Sequence, residues 1–379
     1  MLHRYMKSSP RSTAIAAASF FAFAALVIGC GGGGGGGGTS TGTSTGTVTG
    51  TATGTVTGTA TGGVFTSNVI VYSDTTDAYT SINYKQVNPD GSSKKLLYNM
   101  PTKNYQGLGL NPAVQGQTVF GYAPAGGASP VFGIYKNIGV YGGSATQLVA
   151  PVYSVITSIQ ISIDGAWIYY IAAIGAGNTQ LYKIPITGGV PIVLDSGEIN
   201  SAFVDTVDGT RITYDKYYTF LDGNNVDSIF VRPTTTSGTP VQLTTDSKAN
   251  YSNPQFSKDG TKIVFVSDKD DANGEVYLMS ATDGSGITKL TNNPTINKMG
   301  NGVTMSADGT KASYIGMDTV GTAFGVYTSG AVGTSNPSTL IVSDLTILPG
   351  IYWTSSNGRA VAGAARLMSR PQRRRHIQP

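Results

Sequence analysis

Cysteine is almost absent from this chain: Cys30 is the only one among 379 residues. No internal disulfide can form. Histidine is nearly as scarce, with His3 and His376 lying close to the two ends. The stretch 64–363 therefore holds neither His nor Cys. That excludes Ser-His-Asp and Cys-His catalysis there, a His-held transition metal and a thiolate metal site. No G-x-S-x-G sequence is present in that stretch either. Acidic residues are missing from both ends, none preceding Asp74 and none following Asp344. The net charge of +4 comes from those ends, through Arg4, Lys7 and Arg11 at the start and Arg366, Arg370, Arg373, Arg374 and Arg375 at the finish. The middle keeps 25 − 3 − 5 = 17 basic against 21 acidic residues, or −4. A mildly acidic body lacks the clustered Lys and Arg that phosphate neutralisation requires, so nucleic acid is not an expected partner.

The first residues read as an export signal. His3, Arg4, Lys7 and Arg11 form a positive head, and 14–28 is an uncharged, almost wholly apolar run of 15 residues. A membrane-spanning helix needs about 20, whereas a signal core is this short. The run ends in Val27-Ile28-Gly29-Cys30, which resembles a bacterial lipobox. The resemblance implies a signal peptide over 1–29 and lipid attachment at Cys30, the first mature residue. Several acyl chains anchor firmly, at about 0.8 kcal/mol per buried CH₂. An ordinary signal peptide with Cys30 incidental is the other reading. Gly31 in place of Asp resembles the outer-membrane sorting pattern of Gram-negative lipoproteins.

Residues 31–63 are eight glycines followed by Thr-, Ser- and Gly-rich sequence. Such composition buries too little apolar surface to offset ordering entropy. It predicts a flexible tether with a root-mean-square span of about 30 Å. The glycine run satisfies G-x-G-x-x-G trivially, but no strand precedes it and no helix follows, so a nucleotide site is not expected. The remaining roughly 300 residues suit one large all-β domain, rich in Gly, Thr, Ser and Tyr and poor in charge.

Internal repetition organises that domain. The clearest unit runs Asn253-Pro254-Gln255-Phe256-Ser257-Lys258-Asp259-Gly260-Thr261-Lys262-Ile263-Val264-Phe265-Val266-Ser267-Asp268, then Glu275-Val276-Tyr277-Leu278-Met279, Asp283-Gly284 and Leu290-Thr291. Its x-Gly turn recurs at Gln115-Gly116, Asp164-Gly165, Asp208-Gly209, Asp259-Gly260, Asp308-Gly309 and Asn357-Gly358, in steps of 49, 44, 51, 49 and 49 residues. Gly supplies positive φ and Asp or Asn caps the turn, so x-Gly between apolar runs makes a hairpin. An apolar strand follows each turn, as in Trp167–Ile171, Arg211–Tyr214, Ile263–Val266 and Ala312–Ile315. A second recurs further on, as in Leu181–Ile184, Ile229–Val231, Val276–Leu278 and Val326–Tyr327. The unit strongly resembles the TolB-type, WD-like (PD40-type) propeller repeat. The resemblance implies an all-β fold, a six-bladed β-propeller over 64–363. The α/β domain that precedes the propeller in TolB itself has no counterpart here.

The ends of the repeat array predict how the ring closes. Val69–Asp74 matches Ile263–Asp268, so the chain enters at the second strand of a blade. Ile351–Gly358 supplies a first strand. Joined, the N- and C-terminal strands complete the last blade and remove two open edges.

Carboxylates and tyrosines remain as candidate site chemistry. Asp268, Asp270, Asp271, Asn273 and Glu275 form the densest acidic cluster. A calcium loop needs roughly D-x-[DN]-x-[DN]-G, and Asn273-Gly274 is one residue out of step; a solvated hairpin is the plainer reading. Asp222-Gly223-Asn224-Asn225 with Asp227 reads the same way. Tyr217, Tyr218 and Phe220 are candidate binding residues on a loop, while strand aromatics such as Trp167, Tyr169, Tyr182 and Tyr277 read as packing between blades. The basic run Arg370–His376 reads as a solvated tail over 364–379, with anionic lipid or polysaccharide as a second reading. No catalytic residue, metal or cofactor is expected. The chain reads as a monomeric, non-catalytic cell-envelope lipoprotein, outer-membrane anchored, binding another envelope protein or acting as a scaffold. A carboxylate-dependent enzyme on polysaccharide or peptide, and a purely structural surface protein, are the alternatives.

Overall fold

The Ser-x-Asp-Gly turn shows how local chemistry starts each sheet. In 257–262 the Ser257 amide donates to the Lys262 carbonyl at 2.9 Å and the Gly260 amide to the Ser257 carbonyl at 2.9 Å. The Ser257 hydroxyl donates to Asp259 Oδ1 at 2.6 Å and accepts from the Lys262 amide at 3.0 Å. Asp259 Oδ1 also accepts from the Thr261 amide at 3.1 Å. Gly260 sits at φ +68°, a conformation that penalises any side chain. Ser162-Ile163-Asp164-Gly165 repeats the arrangement, with the Ser162 hydroxyl donating to Asp164 and Gly165 at φ +72°.

The computed structural model describes residues 70–75, 81–101, 105–110, 117–124, 129–138, 145–204, 208–298, 302–306, 309–318, 324–330, 338–343 and 347–353. The signal peptide, Cys30, the linker, the tail, the boundaries at 64 and 363, Asp308 and the turns at 115–116 and 357–358 lie outside the described residues.

The strands are antiparallel and fall into six sheets. The chain enters with β1 (Ile70–Thr75), β2 (Ser81–Val87) and β3 (Lys95–Pro101). The next sheet is β4 (Tyr105–Leu110), β5 (Gln117–Tyr122), β6 (Phe132–Ile138) and β7 (Thr146–Tyr153). Then come β8 (Val155–Ile161), β9 (Trp167–Ala173), β10 (Gln180–Pro185) and β11 (Ile192–Asp195). β12 (Ile199–Val204), β13 (Arg211–Thr219), β14 (Asn225–Pro233) and β15 (Val241–Gln242) form a fourth sheet. β16 (Tyr251–Phe256), β17 (Lys262–Ser267), β18 (Glu275–Ser280) and β19 (Thr288–Lys289) form a fifth. In the sixth, β20 (Ile296–Asn297) and β21 (Val303–Met305) both pair with β22 (Ala312–Asp318), followed by β23 (Phe324–Thr328) and β24 (Thr339–Ser343).

Last comes β25 (Ile347–Trp353), which pairs with β1 through Ile70 opposite Trp353, Val71 opposite Tyr352 and Tyr72 opposite Ile351. One sheet is thus ordered β25-β1-β2-β3, built from both ends of the repeat array as its sequence predicts. The first strands neighbour one another in succession, β4 against β8, β8 against β12, β12 against β16, β16 against β21 and β21 against β25. Apolar side chains fill the spaces between sheets: Ile171, Leu181, Ile212, Tyr214 and Phe230 in one cluster, Phe256, Phe265, Tyr277 and Met279 in another.

The Leu-Thr pairs that end two of the units have a definite task. The Leu243 amide donates to the Ile229 carbonyl at 2.8 Å and the Thr244 hydroxyl accepts from the Ile229 amide at 2.9 Å. Leu290 and Thr291 do the same to Val276, at 2.7 Å and 2.9 Å. Each pair thereby extends a two-residue fourth strand and buries a leucine between sheets.

Each sheet is an antiparallel ladder four strands wide, β20 and β21 sharing the first position in the sixth, so its connections divide between two ends. The Asp-Gly turns and the third-to-fourth turns share one end, here the turn end. The second-to-third hairpins and the links to the next sheet share the other, the loop end.

Candidate binding face

The fourth sheet is unlike the others at the loop end. Its middle strands β13 and β14 are nine residues each, against six or seven for their counterparts in the third and fifth sheets. The register runs from Arg211 opposite Pro233 to Thr219 opposite Asn225 without interruption. The apolar pattern breaks at Asp215-Lys216, yet the strand continues because both side chains are satisfied. Asp215 is buried and accepts from the Ser201 hydroxyl, and Lys216 pairs with Asp195 at 3.1 Å. The extension carries Tyr217, Tyr218 and Phe220 to the loop end. The turn closes with the Phe220 amide donating to the Asn224 carbonyl at 2.8 Å and Gly223 at φ +80°.

Strand alternation sends the two tyrosines to opposite faces of this ribbon. Tyr218 contacts Phe220 edge to face at 5.0 Å and Phe230 at 5.8 Å, and Phe230 stacks on buried Tyr214 at 5.7 Å. An aromatic ladder thus runs from the core to the hairpin tip. Tyr217 shares its face with Asp215. Both tyrosines stay more than a third exposed, and Leu221 at the tip is fully exposed.

The acidic candidates lie on the next hairpin, β17–β18, at the same end, but do not converge on one point. Asp268 accepts from the Asn250 amide at 2.7 Å and the Asn250 side chain at 2.8 Å. Asp270 accepts from the Tyr277 hydroxyl at 2.9 Å and lies 3.8 Å from Lys289 Nζ. Asp271 accepts from the Asn273 amide at 2.8 Å, capping its own turn. Among the described residues no group of three or more His, Cys, Asp or Glu is placed to hold a metal ion. The acids do act together on Tyr251, whose hydroxyl is pushed up to about 12 by burial and then by the negative charges of Asp246, Asp268 and Asp270.

Polar side chains tie the two hairpins sideways. The Asn200 side chain donates to Asp227 at 2.8 Å, the Asp227 amide to Asn250 at 3.2 Å, and Asn250 to Asp268. At the tip the Ser247 hydroxyl donates to Asp222 at 2.5 Å. That bond, with those from Asn224, holds the Asp222 carboxyl below the usual carboxylate range. Further along, Lys298 is wholly buried, pairs with buried Glu275 at 3.1 Å, and donates to the carbonyls of Asn293 at 2.7 Å and Ile296 at 2.9 Å. Burial pushes the Lys298 ammonium down, and Glu275 partly restores it. Neither Asn200 nor Lys298 stands out in sequence, since each matters only through a partner on another connection. Asn253, at φ +53°, sits at a bulge in β16.

The fold defines the class: the chain is an all-β protein whose architecture matches that of TolB-type β-propellers. It is similar to a candidate TolB of Agrobacterium tumefaciens at TM-score 0.55 and 16% identity, over 80% of this chain and 99% of that one. TolB of Acinetobacter baumannii aligns at TM-score 0.53 and 15% identity, over 77% of this chain and 68% of that one. A chain of a nidogen/laminin complex aligns at TM-score 0.53 and 12% identity, over 76% of this chain and 99% of that one. No protein-family model matches the chain, and no curated protein matches it by sequence.

Proposed function

We propose that the protein is an exported, lipid-anchored envelope module that binds another protein through the loop end of its propeller and carries out no chemistry of its own. The observation that carries this reading is the extended β13–β14 hairpin, which holds Tyr217, Tyr218 and Leu221 exposed on a rigid ribbon. Tyrosine on a rigid frame, beside small and amide side chains, gives contact area at low entropic cost. Here Thr219, Gly223, Asn224 and Asn225 stand beside the aromatics. The carboxylates nearby serve turns and neighbouring connections, which favours recognition over acid–base work. A nidogen/laminin complex contains a chain of similar fold, so this architecture has a precedent within a protein–protein complex. The lipobox-like Val27–Cys30 and the Gly-rich linker support a tethered position at the outer membrane.

Two experiments test the reading. Crosslinking in the native envelope is expected to enrich a defined protein; turnover of a glycan or peptide panel with no protein enriched would replace binding by catalysis. Palmitate labelling is expected for the wild type and not for Cys30→Ala, and equal labelling would reject the anchor.

A further inference from the structure

The side chains that close the connections differ between the two ends of the propeller. At the turn end, cations reach across to backbone carbonyls. Lys136 donates to Ile186 at 2.8 Å, Lys183 to Thr234 at 2.9 Å and Arg211 to Gly260 at 2.7 Å. At the loop end Asn200, Asn250 and Ser247 donate to carboxylates, the first two within their own sheets, while Lys298 donates to the Gly274 carbonyl of the neighbouring sheet at 3.1 Å. Three loop-end connections lie side by side there, 220–224, 244–250 and 268–274. They carry Asp222, Asp246, Asp268, Asp270 and Asp271 against Lys248 and Lys269, or 2 − 5 = −3. The exposed Tyr217, Tyr218 and Leu221 stand beside them.

We propose that this sector docks a protein segment bearing lysine or arginine next to an apolar side chain. The inference rests on the binding reading above and names the partner's chemistry. The apolar side chain packs on the tyrosine ribbon, and the cations face the carboxylates of the 220–224 and 244–250 connections. Aromatic anchors supply most of the affinity at such surfaces, while charge complementarity at the rim sets encounter rate and partner choice. A segment with acidic residues at the same spacing meets like charge and is refused.

The test uses the full chain and three labelled peptides, built from repeats of Lys-Leu-Ser, Glu-Leu-Ser and Lys-Ser-Ser, followed by fluorescence anisotropy. The Lys-Leu-Ser peptide is expected to bind at least about tenfold more tightly than either other peptide, and to weaken as salt is raised. Tyr217→Ser/Tyr218→Ser should weaken it about tenfold, and Asp222→Asn/Asp246→Asn about threefold, with Lys258→Ser at the turn end unchanged. Unaltered thermal melts of each variant separate lost docking from lost folding. Equal affinity for the lysine and glutamate peptides overturns the proposal, as does a loss in Lys258→Ser matching that in the tyrosine variant. Tighter peptide binding in Arg373→Gln/Arg374→Gln/Arg375→Gln also overturns it, by making the chain's own tail the occupant. A photo-crosslinker placed at Tyr218 or at Lys258 in the envelope tells the two readings apart. A protein captured only at Lys258 leaves the binding reading standing and removes this one; no capture at either position removes both.

Discussion

The turn end and the loop end are made by the same repeat, yet they are closed in different ways. At the turn end Asp164, Asp208 and Asp259 fold back on their own turns, each accepting from the amide two residues on. Those turns need nothing from the next sheet to form. At the loop end the connections lean on one another, through Asn200–Asp227, Asn250–Asp268 and the buried Lys298–Glu275 pair. A closure written in four adjacent residues tolerates change nearby, whereas one shared between connections fails when either partner goes. The contrast also separates framework from the proposed binding surface, because among the described residues the ribbon that outgrows the repeat, β13–β14, emerges at the shared end.

The largest effect should come from the shared closure. Lys298→Met leaves Glu275 buried without its cation and should cost about 3–5 kcal/mol, read from urea unfolding. Glu275→Leu/Lys298→Met should recover most of that loss, since replacing both charges by apolar groups is often near neutral; a double variant as unstable as the single would contradict the assignment. Next come two turn-end glycines that differ only in surroundings. Gly284 has φ +72°, and a Cβ there would collide with the Leu243 carbonyl oxygen; Gly309 has φ +69° and open space. Gly284→Ala should cost about 2–3 kcal/mol and Gly309→Ala about 1 kcal/mol. Equal costs would mean that left-handed strain alone governs both sites.

Acid should attack the local turns next. The Ser162 hydroxyl and Ala166 amide lower the Asp164 carboxyl, and the Thr210 amide and hydroxyl lower that of Asp208. At Asp259 the bonds from Ser257 and Thr261 outweigh an upward push from burial. A depressed folded pKa stabilises above the unfolded value of about 4 and is lost as pH falls through the folded one. The thermal midpoint should therefore decline below about pH 4, and Asp164→Asn/Asp208→Asn/Asp259→Asn should flatten that decline. The smallest effect belongs to the ribbon tip. Leu221→Ser should change stability by less than about 0.5 kcal/mol, as exposed positions do; a larger loss would make the hairpin part of the framework.

The turn end was readable from sequence, because Ser, Asp and Gly act within a few residues of each other. So was the pairing of β1 with β25, since Val69–Asp74 and Ile351–Gly358 are recognisable as the second and first strands of one unit. The length of β13 was not: the apolar pattern stops at Tyr214, and Asp215 and Lys216 look like the start of a loop. They stay in the strand only because Ser201 and Asp195 come from other strands to meet them. Tyr217, Tyr218 and Phe220 stood out as loop aromatics, but their division between two faces depends on that extra length. Asn200, Asn250 and Lys298 carried no signal, because a bond between residues 18 to 27 positions apart has no local signature.

The pairing of β25 with β1 bears on how the molecule is made. Strands up to Ser343 leave the ribosome before Ile347–Trp353 has been synthesised. Until that last strand arrives, β1 offers a bare row of amides and carbonyls to any passing strand. A chain broken off before Ile347 would keep that adhesive edge, so clipping between β24 and β25 should yield more self-association than the whole chain shows.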